Sequence, residues 1–189
     1  SLSKWISLLL AGYHKYIYAG NDAHGNFNLY RQISIPMFSI KEKKEQIFGK
    51  FRTGVIINKE KVNIQNTIEN LRKGNCFITN GPLLKLSLKT NNATYSMGAT
   101  VNDSSGLLQI SVKSSSEYGR IQKIKIKKGI LGQKEEIDQY IINNLHKYDF
   151  TDELKVYSSI YCYYRCEAEY LGAKRGIDQI LSFTNPIWL

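Results

Sequence analysis

No run of about 18 apolar residues occurs in the chain, so no segment of it reads as a membrane-spanning helix. Cysteine is scarce too, and three thiols give no disulfide framework. Cys162 and Cys166 fall on one face of an expected strand, where four residue steps separate them by roughly 13 Å. That is beyond the reach of a disulfide, and the spacing also misses a zinc knuckle. Both read as small buried hydrophobes. Unpaired thiols fit a reducing, cytoplasmic setting without excluding export. Histidine is limited to His14, His24 and His146, fewer imidazoles than a multi-metal hydrolytic centre needs. The apolar start, Ser1 to Leu10, lacks the basic n-region, initiator Met and small-residue cleavage site of a secretory signal. It reads instead as an amphipathic helix in a chain that begins mid-protein.

Charge is in excess on one side: 26 Lys and Arg against 16 Asp and Glu, a net +10. A basic balance can mean a nucleic-acid or phosphate partner. Here the lysines are scattered among many Ile, Asn and Tyr, a pattern of compositional bias. Only Lys123-Ile124-Lys125-Ile126-Lys127-Lys128 clusters charge, and its alternation predicts a strand with one wet, basic face. No RNA- or DNA-recognition motif accompanies it, so neither a nucleic acid nor a membrane is the expected partner. With 42% hydrophobic residues the 189-residue chain can bury a sizeable core.

The order of elements follows from periodicity and punctuation. Residues 3–11 read as a helix ended by Gly12, and Tyr16-Ile17-Tyr18-Ala19 as a short buried strand running into Gly20-Asn21-Asp22-Ala23-His24-Gly25. The stretch 26–50 reads as irregular, and Arg52 to Ile57 as a strand. Asn63 caps a helix whose Ile64, Ile68 and Leu71 share a face and which Gly74 ends. Cys76–Thr79 begins a strand that meets the turn Asn80-Gly81-Pro82. Segments 83–90, 107–114, 121–128, 154–161, 162–170 and 180–184 then alternate or are β-rich, the pattern of a β-sandwich. Residues 133–149 read as a polar, charged insertion, helical in part.

Asp22 and His24 stand one residue apart, so on an extended stretch a carboxylate and an imidazole point the same way. Such a pair is a sensible fragment of a Zn, Mn or Fe site, and Gly20 and Gly25 let the backbone turn closely around it. D-x-H alone is common, and an ordinary loop carries it equally well. Its context is an apolar strand ending in G-N-D-A-H-G. That element resembles the terminal signature of the PHP (polymerase and histidinol phosphatase) superfamily. Further matching pieces are Arg52-Thr53-Gly54-Val55, the run Ile68 to Leu84 with its Thr79-Asn80-Gly81-Pro82, Tyr163 to Glu167, and Thr184-Asn185-Pro186-Ile187-Trp188. In this order they resemble the C-terminal half of the CehA/McbA-like metallohydrolase branch and span nearly the whole chain.

The resemblance implies an α+β protein. Residues 1–75 would be the last elements of an incomplete PHP (β/α)7-type barrel, and 76–189 an antiparallel β-sandwich. It implies divalent metals (Mn, Zn or Fe), with Asp22 on the most buried metal and His24 on a neighbouring one. Further ligands would come from an N-terminal barrel portion missing here. The implied chemistry is hydrolysis of a small phosphorylated or ester substrate by metal-activated water; the isolated chain is expected to be inactive.

Arg31 and Arg52 follow the metal loop, and each could grip a substrate phosphate, though a structural arginine is the commoner role. Arg52 is the better placed, at the start of a strand. His14 and His146 are expected at the surface, and Arg165 in a surface ion pair with Glu167. The rival to a hydrolase fragment is a non-catalytic binding or assembly module in which the sandwich recognises a partner and the barrel remnant is inert.

Overall fold

The computed structural model describes residues 1–20, 32–35, 38–41, 51–158, 160–171 and 180–189. Two antiparallel sheets pack face to face. The smaller holds β5 (Leu83–Lys89), β6 (Thr94–Ser96), β7 (Ser105–Lys113) and β10 (Asp149–Tyr157) in the order β10-β7-β5-β6. The larger runs β3 (Arg52–Val55), β4 (Cys76–Thr79), β12 (Ile180–Thr184), β11 (Cys162–Leu171), β8 (Arg120–Ile130), β9 (Ile137–Lys147), with β13 (Ile187–Trp188) also on β11. The sandwich expected from the alternating segments is therefore present.

Period-two alternation explains which side chains meet. Leu84, Leu86 and Leu88 of β5 and Leu108, Ile110 and Val112 of β7 face Ile124 and Ile126 of β8 and Cys162, Tyr164, Cys166, Ala168 and Tyr170 of β11. All are buried, and burying each aliphatic side chain contributes about 1.5–3 kcal/mol. Cys76, Cys162 and Cys166 are free and buried, as expected for Cys162 and Cys166.

The other face of β11 is covered as well. Helix α1 (Leu2–Leu10) lays Trp5, Leu9 and Leu10 against Tyr163 and Trp188. Gly12, at φ +88°, then turns the chain away from the helix. Position 75 joins helix α2 (Ile64–Arg72) to β4, and β3 pairs with β4 along its length, so the larger sheet takes strands from both sides of that position.

Four local expectations change. The insertion at 133–149 is not helical: β9 pairs antiparallel with β8 and packs Tyr140, Ile142 and Leu145 against the core. Its alternation is hidden by two register shifts in the pairing and by left-handed backbone at Asn144 and His146. The irregular stretch 26–50 contains an antiparallel hairpin of β1 (Gln32–Ile35) and β2 (Phe38–Lys41). Residues 16–19 join no strand ladder. Arg165 is not at the surface, because α1 and the β8–β9 turn close over it; the side chain is 1% exposed.

That closure surrounds the guanidinium with partners. Its Nε donates to Glu136 Oε1 at 2.7 Å and its Nη2 to Glu136 Oε2 at 2.5 Å. Nη1 lies 2.6 Å from Glu167 Oε1, an ion pair poorly aligned for a hydrogen bond. Tyr163 donates its hydroxyl to Glu136 Oε1, and Trp5 lies with its ring 5.6 Å from the guanidinium. On β8, Lys125 pairs with Glu169 and Lys127 with Asp138.

Candidate functional site

The segment Tyr16–Ala19 leads directly into Gly20, and its hydrogen bonding is unusual. The backbone N–H of Ile17 donates to Asn185 Oδ1 at 2.8 Å, and Asn185 Nδ2 donates back to the Ile17 carbonyl at 3.4 Å. Two residues on, the N–H of Ala19 donates to Thr53 Oγ1 at 2.9 Å, and that hydroxyl lies 3.3 Å from the Ala19 carbonyl. Two side chains thus take the place of a neighbouring strand. Buried or half-buried backbone groups must find partners, and here an amide and a hydroxyl supply them at alternate residues.

Each anchor is itself fixed. Asn185 is fully buried in the connection between β12 and β13, and its Nδ2 also reaches Cys76 O at 3.2 Å and Cys76 Sγ at 3.1 Å. Burial pushes the Cys76 thiol up to about 11, and the Asn185 hydrogen bond pulls partly the other way. Thr53 sits in β3, where the neighbouring Gly54 leaves room for the Phe77 ring; a Cβ there would fall 2.3 Å from it.

Tyrosines fasten the same segment from its sides. Tyr16 donates its hydroxyl to Gly98 O, and its ring covers Gly74, whose φ of +70° ends α2. Tyr18 donates to the carbonyl of Leu71 at 2.8 Å. The Asn63 cap on α2 is observed, with its side chain accepting from Asn66 N–H. Three of the four further pieces that carry the resemblance have named work in one neighbourhood: Thr53 and Asn185 hold the segment before Gly20, and Gly74, in the run 68–84, receives Tyr16. In that same run, Thr79 Oγ1 and Asn80 Oδ1 lock the turn after β4 through Pro82 O, Gly81 N–H and Leu181 N–H.

Asp22, His24 and Arg31 lie outside the described residues. Arg52 is exposed at the start of β3, with Nη2 3.5 Å from the Tyr118 hydroxyl. The other two histidines stand apart from this neighbourhood or serve packing. His14 is exposed, yet it stacks on Trp188 at 4.2 Å between ring centroids and places Nδ1 3.3 Å from Thr100 Oγ1. His146 occupies left-handed backbone in β9 at φ 51°. Among the described residues no group of three or more His, Cys, Asp or Glu could hold a metal, and no helix is long and apolar enough to cross a membrane.

Sequence reasoning missed Thr53 and Asn185 as anchors. Each was visible only as a letter within a motif, and Asn185-Pro186 reads as a turn. Their partners are 34 and 168 residues away, a separation that periodicity does not report. The signal that does report it is the pattern of motifs, two of whose polar members, Thr53 and Asn185, bond the segment Ile17–Ala19. Comparison of the chain with protein-family models, with curated proteins and with solved structures found no match.

Proposed function

We propose that this chain is the C-terminal part of a PHP-type metal-dependent hydrolase, and that Gly20 to Gly25 is its last metal-ligand loop. The observation that carries the reading is the clamping of Ile17 and Ala19 by Asn185 and Thr53. A ligand loop must hold its donors within fractions of an ångström, and it does so when the elements bearing it are rigid. Two side-chain clamps, on Ile17 and Ala19, hold the chain that leads into this loop.

In this reading Asp22 and His24 hold divalent metal (Mn, Zn or Fe), with the remaining ligands on an N-terminal barrel portion of the same protein. Two donors suit a partial site, because catalytic metals are usually held by three or more protein groups. The metal would supply a nucleophilic hydroxide near neutral pH and polarise the scissile bond. Asp22 contributes negative charge to a cation-rich centre, His24 a neutral donor. Arg52, exposed at the edge of β3 near the anchored segment, is the candidate contact to a substrate phosphate or ester oxygen. Since α1 packs on β11 and β3 pairs with β4, the part of the chain before residue 75 would join the barrel portion to the sandwich.

The test is the protein expressed from its complete coding region. It should carry metal after dialysis and hydrolyse bis(p-nitrophenyl) phosphate or a simple carboxylic ester. The upstream sequence should also contain H-x-H after an apolar strand. A full-length protein without metal, turnover or that motif overturns the reading and leaves the binding-module alternative standing.

A further inference from the structure

One end of the sandwich carries a cleft of about 780 Å³, within the range of small-molecule sites. Its walls include parts of three connections: 100–104 before β7, 131 after β8, and 158 and 160–161 before β11. Backbone hydrogen bonds pin all three. Val101 N–H donates to Trp188 O, Ser158 N–H to Ser104 O, and Leu131 N–H to Tyr161 O, while Cys162 and Leu189 exchange a pair. The cleft is thus preformed rather than assembled by closure.

Its chemistry differs from the rest of the chain. The molecule carries 26 Lys and Arg, yet none is among the described residues lining the cleft. The polar groups there are one carboxylate, Asp103, with Asn102, Ser104, Ser158, Thr100 and the His14 imidazole. Asp103 is oriented by Asn92 Nδ2, 2.9 Å from its Oδ1. Beside these groups Tyr161 stands 81% exposed, an aromatic face with nothing packed over most of it. The Trp188 indole forms another part of the wall under His14, and its buried N–H finds no acceptor among the described residues.

We propose that this cleft binds a neutral carbohydrate. An anionic ligand would meet a carboxylate and no lysine or arginine, so phosphate and sulfate esters are disfavoured on charge. A purely apolar ligand would take the Asp103 carboxylate, Asn102 and Ser104 out of water, which is costly. A sugar ring has an apolar C–H face that suits Tyr161 and a rim of hydroxyls that suits paired donors and acceptors. The single exposed ring also falls short of the aromatic cage that a quaternary ammonium group requires. The cleft is built from other residues than the proposed metal ligands, and its occupancy does not depend on that function.

Isothermal titration of the full chain with cellotetraose, maltotetraose and chitotetraose, beside glucose 6-phosphate, tests the assignment. At least one neutral tetrasaccharide should bind with a dissociation constant of about 1 mM or tighter. Tyr161→Ala should weaken that binding about tenfold or more, and Asp103→Ala should do the same, with unchanged thermal unfolding for Tyr161→Ala. Failure of all three sugars to saturate overturns the proposal. So does binding that both variants retain, or binding confined to glucose 6-phosphate.

Discussion

Replacing Asn185 with Leu tests the clamp most sharply, since the two side chains are close in size and differ in hydrogen bonding. Asn185 is fully buried, and its carboxamide serves Ile17 N–H, Ile17 O and Cys76 O. Cys76 O keeps a weaker partner in the backbone N–H of residue 185 at 3.4 Å. The two Ile17 groups lose theirs. Each buried group left unpaired costs about 1–3 kcal/mol, so N185L should destabilise by about 2–5 kcal/mol. For a chain of this size that is a fall of roughly 5–15 °C in Tm. N185D adds a discriminating arm. It keeps the acceptor for Ile17 N–H but sets a carboxylate against Cys76 O, so its folded carboxyl titrates above the unfolded one. N185D should therefore be closest to wild type in acid and lose stability as pH rises through the carboxyl range. Thr53→Val removes the second clamp at about 1–2 kcal/mol, and the double variant should cost less than the sum, because one lost anchor already frees the segment. Calorimetric melts of the four proteins decide it. A Tm change below about 1 °C for N185L, or strict additivity with Thr53→Val, would refute the reasoning.

Three further outcomes follow from the packing. Leu86→Ala, in the centre of β5, should cost about 2–5 kcal/mol in urea unfolding by leaving a cavity between the sheets. Arg165→Met should cost about 3–5 kcal/mol, because it strands the Glu136 carboxylate in a buried site, and adding Glu136→Gln should recover much of it; no recovery would mean the pair is not the reason. Stability should also fall in alkali: the unfolded Cys76 thiol ionises near 9.0 and the folded one near 11, so the unfolded state sheds its proton first and stability is lost from pH 9 toward 11. Cys76→Ala should flatten that part of the profile.

The sandwich was legible because β5, β7, β8 and β11 alternate cleanly and bury one side. The Lys and Ile alternation of β8 gave its wet face, and the Cys162 and Cys166 spacing gave the inner face of β11. What stayed hidden had physical causes. The strand β9 lies at a sheet edge, with bulges and left-handed residues that break period two. Arg165 reads as a surface charge until α1, distant in sequence, is seen to cover it. Residues 16–19 look like a strand because they are apolar, yet side chains far along the chain provide their hydrogen bonds. Within the candidate site, D-x-H gave the proposed donors Asp22 and His24, while Thr53 and Asn185, which hold the segment before Gly20, were not legible from spacing.

The central claim is that Asp22 and His24 are metal ligands, and metal per chain in the full-length protein tests it most directly. Elemental analysis after exhaustive dialysis should find metal in the wild type. Asp22→Asn keeps the side chain's shape and removes its charge, so it should lower metal content severely. His24→Ala should lose one metal and retain at least one other. Unchanged stoichiometry in both variants would make Asp22-Ala23-His24 an ordinary loop and contradict the proposed function.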